Sequence, residues 1–114
     1  MKYFFILFIL ISCTSSDCST LPSSFKSYAE SLNIVEYTSF NFTNYVDTSK
    51  SSWVRGANYY SCDNRTGFLI INTDSHNYIH QSVPLAVWKG FTKANSFGSF
   101  YNQNIKGRYQ LQLD

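Results

Sequence analysis

Charge is scarce in this sequence. Of 114 residues, 14% are Asp, Glu, Lys or Arg and the formal net charge is +2, so no strong global field points to one class of partner. Acidic residues are absent from 75–113, where Lys89, Lys93, Lys106 and Arg108 all lie. Such a stretch can face phosphate or acidic lipid, and four cations spread over two elements can equally be a solvated surface. There is no Cys-x-x-Cys pair, and His76 and His80 lie far from Cys18 and Cys62 in sequence. That spacing excludes the usual zinc patterns and offers no Cys-His catalytic pair. No nucleophile elbow and no internal repeat is present. Beyond residue 11 no apolar run is long enough to cross a membrane as a helix.

What the chain does have is aromatic surface. Aromatic residues reach 18%, with ten Phe and nine Tyr, enough for one small domain to build a core from large rings. The composition is not that of a disordered chain.

The first residues read as a targeting signal over 1–12. Met1 and Lys2 form a minimal positive start, and residues 3–11 (YFFILFILI) form an apolar stretch too short for a membrane span. Leu10-Ile11-Ser12-Cys13 follows the order of a bacterial lipobox. Cys13 would become the new N-terminal residue, its sulfur carrying the lipid, and the small Ser12 would admit the signal peptidase. The short signal ending in Ser-Cys resembles those of lipoproteins from the Bacteroidetes group. The alternative is an ordinary secreted protein cut near Ser15 or Ser16, with Cys13 discarded. Either way Cys18 and Cys62 remain, and two thiols in an oxidising compartment are expected to form one disulfide.

Residues 13–21 read as a polar tether. Residues 22–50 are expected to hold a helix and an extended segment. Ser23 or Ser24 would cap the helix, Phe25, Tyr28, Ala29 and Leu32 would form its apolar face, and Asn33 would stop it. Residues 34–42 (IVEYTSFNF) read as extended, and 43–50 as a polar connection. A strand is then expected towards Tyr59 and Tyr60, with Trp53, Arg55, Ala57 and Tyr59 sharing one face. A turn at 62–67 leads to the apolar run 68–73, another turn at 74–77 leads to a strand at 78–83, and a helix starts near Pro84. The expected fold is α+β: a small antiparallel meander of three or four strands, packed by an N-terminal helix and two C-terminal helices.

Residues 83–109 (VPLAVWKGFTKANSFGSFYNQNIKGRY) carry an order of small, aromatic, amide and basic residues that generic core-building does not require. With Ser51-Ser52 and Tyr59-Tyr60 upstream, this stretch resembles the KTSC domain, a short module named after the C-terminus of some lysyl-tRNA synthetases. The resemblance covers residues 51–114. It departs from the family pattern at Tyr78-Ile79-His80, where a second aromatic usually stands in place of His80, and at 74–77, where the preceding turn usually holds Gly. It implies a small α+β fold and transfers no catalytic residue. Elementary chemistry accounts for part of the pattern: Ser96 can cap a second short helix, Gly98 tolerates a close approach, and Gly107 can end that helix in a left-handed conformation.

Three functions compete at this level. The family's usual suggestion is RNA binding, with basic residues beside exposed aromatics; Arg55, Lys106 and Arg108 with Tyr59, Tyr78 and Tyr101 could make such a surface. A targeting signal disfavours nucleic acid as the partner. A hydrolase could use His80 and Ser82, which strand alternation would place on one face. The favoured reading is non-catalytic: an exported domain held to a membrane by a lipid on Cys13, binding an envelope protein or peptide. Arg55, Tyr59, Tyr78, His80, Tyr101, Lys106 and Arg108 are its candidate contacts, and no cofactor or metal is expected.

Overall fold

In the computed structural model, which describes residues 16–114, a four-stranded antiparallel meander organises the chain. Its strands are β3 (Phe42–Val46), β4 (Gly56–Ser61), β5 (Thr66–Asn72) and β6 (Asn77–Pro84), hydrogen-bonded in that order. A short pair, β1 (Ser16–Asp17) and β2 (Thr38–Ser39), runs parallel beside it. Helix α1 (Tyr28–Tyr37) precedes the sheet, and α2 (Leu85–Thr92) and α3 (Phe97–Asn104) follow it. The expected α+β fold is present. The expected signal peptide and Cys13 lie outside the described residues.

The central strand β5 explains why both faces are covered. Residues 67–71 of β5 are all buried, so its side chains alternate between two apolar clusters. Leu69 and Ile71 join Val54, Ala57, Tyr59, Trp88, Phe91, Tyr101 and Ile105 under α2 and α3. Phe68 and Ile70 join Phe25, Val35, Ile79 and Leu111 under α1 and the segments that precede it and follow α3. One unbroken apolar run thus serves two cores.

The β4–β5 turn is built by side-chain bonds to backbone. Ser61 Oγ donates to the Thr66 carbonyl at 2.6 Å and accepts from the Asn64 amide at 3.0 Å, with Asn64 at φ 61. The Asp63 carboxylate accepts from the Arg65 and Thr66 amides at 2.8 and 3.0 Å; these bonds hold its carboxyl below the usual value.

Two elements differ from the sequence reading. Helix α1 starts at Tyr28, capped by Ser27, whose Oγ accepts from the Glu30 amide at 3.1 Å. It runs through Asn33 to Tyr37, so the first half of the expected extended segment is helical. Phe25 is not on the helix: its backbone bonds to the C-terminal tail, its N–H to the Gln112 carbonyl at 2.9 Å and its carbonyl to the Asp114 N–H at 2.8 Å. The first half of the expected polar connection at 43–50 is β3, an edge strand whose Thr43, Asn44 and Tyr45 are exposed. Solvent on the outer side removes the apolar alternation that would have announced it.

A bulge in β6 is the other departure. Pairing shifts by one residue between Gly67↔Val83 and Leu69↔His80, which leaves Gln81 and Ser82 together opposite Phe68. Ser82 takes φ 60 to make the extra step.

The segments that precede α1 and follow α3 are tied to the sheet. Gln81 donates to the Ser23 carbonyl at 3.0 Å and accepts from the Gln112 amide at 2.8 Å. Cys18 and Cys62 form the expected disulfide, with Cα atoms 5.9 Å apart, fastening the N-terminal segment beside the β4–β5 turn.

Candidate functional site

Trp53 sits where the loop before β4, the β5–β6 turn and α3 meet. Ser51 shapes that loop: its N–H donates to the Thr48 carbonyl at 2.9 Å, and its Oγ accepts from the Val54 amide at 3.0 Å and the Trp53 amide at 3.4 Å. Arg55 clamps it from below. The guanidinium pairs with the Asp74 carboxylate at 2.9 Å and donates to the Ser51 and Ser52 carbonyls at 3.4 and 3.2 Å. Arg55, a candidate ligand contact, is therefore spent on holding the Ser51-Ser52 loop to the β5–β6 turn.

Gly98, in the first turn of α3, is buried, and a Cβ there would overlap the Trp53 indole nitrogen, with the Trp53 Cε2 at 3.0 Å. The missing side chain is what lets the indole lie on the helix. Ser96 caps α3, accepting from the Ser99 amide at 3.2 Å, as expected. Gly107 has φ 79, and the turn after the helix is closed by the Lys106 amide on the Tyr101 carbonyl at 2.9 Å.

Behind Trp53 lies a satisfied polar pair inside the core. The Trp53 and Tyr101 rings meet edge to face at 5.8 Å. The Tyr101 hydroxyl is 2.9 Å from His80 Nε2, and His80 Nδ1 is 3.3 Å from the Tyr109 carbonyl oxygen. A carbonyl only accepts, so Nδ1 carries the proton and Nε2 accepts from the phenol. Burial pushes the His80 imidazole below its ordinary value, opposed by the Tyr109 bond. Burial raises the Tyr101 phenol to about 12, with Tyr78 and Tyr28 adding to it. Both groups are held neutral and both are bonded to protein.

The structure separates the remaining candidate residues. Tyr59 is fully buried: its ring stacks on Trp88 at 5.4 Å and its hydroxyl donates to the Val83 carbonyl at 2.7 Å. Burial raises its phenol to about 12. A ring with no exposed surface touches no ligand. Tyr78 is exposed, beside His76 at 4.8 Å. Lys106 and Arg108 are exposed past the C-terminal end of α3, at the opposite end of that helix from Trp53.

The expected common face of His80 and Ser82 is not realised. The bulge breaks the alternation between them, leaving His80 buried and bonded to Tyr101 while Ser82 is exposed. Ser82 instead lines a small recess of about 180 Å3 with Leu21, Phe40, Tyr60 and Phe68, against the other core cluster.

What the sequence reading missed is a recess of about 660 Å3 in front of Trp53. Its walls come from the loop before β4 (Lys50, Ser51, Ser52, Trp53), the α2–α3 connection (Ala94, Asn95, Ser96) and α3 (Phe97, Gly98, Ser99, Asn102). Among the described residues no carboxylate lines it. The one signal available in the sequence was the pairing of Ser51-Ser52 with the Ala94-x-Ser96-x-Gly98 segment. Both belong to the pattern of the resemblance, and both end on this recess.

No curated protein and no solved structure matches the chain. The family model of the KTSC domain matches residues 60–109, covering β5, β6, α2 and α3 with the last two residues of β4. The two helices, the bulged strand and the wall of the recess that α3 supplies thus belong to one recognised module: the chain carries a KTSC domain across residues 60–109.

Proposed function

We propose that the protein is an exported, lipid-anchored interaction module that binds an envelope component without catalysing a reaction. The observation that carries this reading is the contrast between its two polar groupings. The titratable pair, His80 and Tyr101, is buried and each ring's polar atoms are bonded within the fold. The recess in front of Trp53 is open, and the side chains of Ser52, Asn95, Ser99 and Asn102 make no hydrogen bond to another described residue. General acid–base work needs a titratable group within reach of a substrate; binding needs unengaged donors and acceptors around a concave surface. Export is supported by the lipobox order ending at Cys13 and by the Cys18–Cys62 disulfide, which suits an oxidising compartment.

Two measurements on the full chain expressed in a bacterial host test the reading. Intact mass and membrane fractionation should show a lipid-sized increment that is lost in Cys13→Ala; equal masses for both proteins would remove the anchor. A photoreactive residue in place of Ser52 should crosslink to an envelope component, and one in place of Gln103 should not. Equal capture from both positions would remove the recess as the binding surface.

Nucleic acid fits this surface less well. Arg55 is neutralised by Asp74, and Lys106 and Arg108 lie past the C-terminal end of α3, outside the lining of the recess.

A further inference from the structure

We propose that the ligand of the Trp53 recess is a saccharide, a neutral and hydroxyl-rich molecule presenting one or two sugar rings. The inference rests on the binding reading above and specifies what is bound.

Size and lining set the class. The recess volume of about 660 Å3 falls inside the range of about 300–1,000 Å3 typical of small-molecule sites. Its polar wall is made of hydroxyls and amides: Ser52, Ser99, Asn95 and Asn102. Each of these groups both donates and accepts hydrogen bonds. A ligand that uses such a wall fully must also do both at neighbouring positions. Vicinal sugar hydroxyls have that property, whereas carboxylates and phosphates only accept and ammonium groups only donate.

Charge argues the same way. Lys50 is the single ionic side chain among the described residues of the lining. The nearby guanidinium of Arg55 is committed to Asp74 and to two backbone carbonyls. Recognition of an anion characteristically uses a bidentate arginine or several cations, and neither is present. A cationic ligand would find no carboxylate in the wall, and a purely apolar one would leave four polar side chains without partners on closure.

Trp53 supplies the remaining element. Its indole N–H bonds to no described residue, and no buried side-chain N or O among the described residues lacks a partner. The N–H is therefore reached by solvent, and its nitrogen lies against Gly98, which also lines the recess. Beside it, the half-buried ring offers apolar surface for the C–H face of a sugar ring, an arrangement that combines packing with a fixed polar handle. Gly98 holds the indole in place and keeps α3 from filling the site.

The test titrates the full chain with neutral oligosaccharides of N-acetylglucosamine, glucose and mannose, followed by tryptophan fluorescence. Trp88 is buried and serves as an internal reference insensitive to the recess. Expected is a saturable change with at least one saccharide at millimolar or tighter affinity. The signal should vanish in Trp53→Phe, and affinity should fall at least about tenfold in the Asn95→Ala/Asn102→Ala double variant, whose exposed positions leave the core untouched. No saturable change with any saccharide overturns the proposal, as does unchanged affinity in the double variant. A response to inorganic phosphate or acetate alone also overturns it and makes the recess an anion site. If saccharides fail while the crosslink from Ser52 still captures an envelope component, binding by the recess stands and only the ligand class falls.

Discussion

The Nε2 of His80 and the hydroxyl of Tyr101 lie 2.9 Å apart inside the core, and the other ring nitrogen is taken by the Tyr109 carbonyl. Placing histidine where the family usually carries a second aromatic has a clear consequence. The imidazole packs against Tyr101 at 5.3 Å and also satisfies its phenol. The substitution joins the strand β6, the helix α3 and the tail after it through one side chain.

A pH dependence of stability follows from that placement. Burial depresses the folded pKa of His80 below the ordinary 6.5, so in acid the unfolded chain takes up the proton first. The stabilising preference for neutral imidazole is fully present above the unfolded value and is lost as pH falls through the folded one. Urea midpoints measured at about pH 7.5 and about pH 5 should show the native chain weakening in acid. His80→Gln keeps a donor and an acceptor but does not titrate, so its midpoint should drop less across the same interval. Parallel losses in the two proteins would show that another group dominates.

The disulfide between Cys18 and Cys62 closes a loop with a sequence separation of 44. On the chain-entropy account, a loop of this size contributes about 4 kcal/mol by restricting the unfolded state. The Cys18→Ser/Cys62→Ser double variant should therefore unfold at markedly lower urea, with the cost concentrated in the free energy extrapolated to water. A difference under about 1 kcal/mol would mean that the N-terminal segment is held mainly by Gln81 and the C-terminal tail instead.

The elements that were legible in the sequence are those specified by their own residues. Ser96 as a cap, Gly107 with positive φ, the disulfide and the apolar run of β5 all depend on local chemistry or simple counting. The start of α1 was not legible, because Phe25 continues the helical period yet is taken by a tail more than eighty residues away. Val35 and Ser31 are the buried positions of the real helix. The candidate site was legible only in outline. Trp53 and Gly98 meet across forty-five residues; Gly98 announced a close approach, and nothing in either local sequence named its partner. Tyr59 looked like an exposed phenol because strand alternation shows which residues share a face but not which face is covered.

Ser82 marks the bulge that hid the true facing of β6. Its φ of 60 is a conformation that costs an L-residue about 1–2 kcal/mol and glycine almost nothing. The side chain is exposed, so removing it creates no cavity. Ser82→Gly should raise stability by up to about 1 kcal/mol after the greater unfolded freedom of glycine is allowed for. Ser82→Val should lower it, since a β-branched side chain fits that region worst. Thermal melts of the two variants read the sign directly. A bulge that slid to the regular register would erase the difference between them, and would show as loss of the His80–Tyr101 contact by NMR.

Gly98 is the position where fold and site depend on the same missing atom. A Cβ there would overlap the Trp53 indole nitrogen; the neighbour is a rigid ring, not the end of a flexible chain. Gly98→Ala gains helix propensity of about 1 kcal/mol in α3. Against this, overpacking typically costs about 1–3 kcal/mol, and Trp53 must turn away from the helix to relieve it. Steric cost should win, giving a net loss of stability together with a red shift of Trp53 emission as the ring enters solvent. Trp88, buried between Tyr59 and Phe91, should be unaffected. A stabilised Gly98→Ala protein with unchanged emission would show that α3 can shift as a body, and that Trp53 is not fixed by contact with this turn.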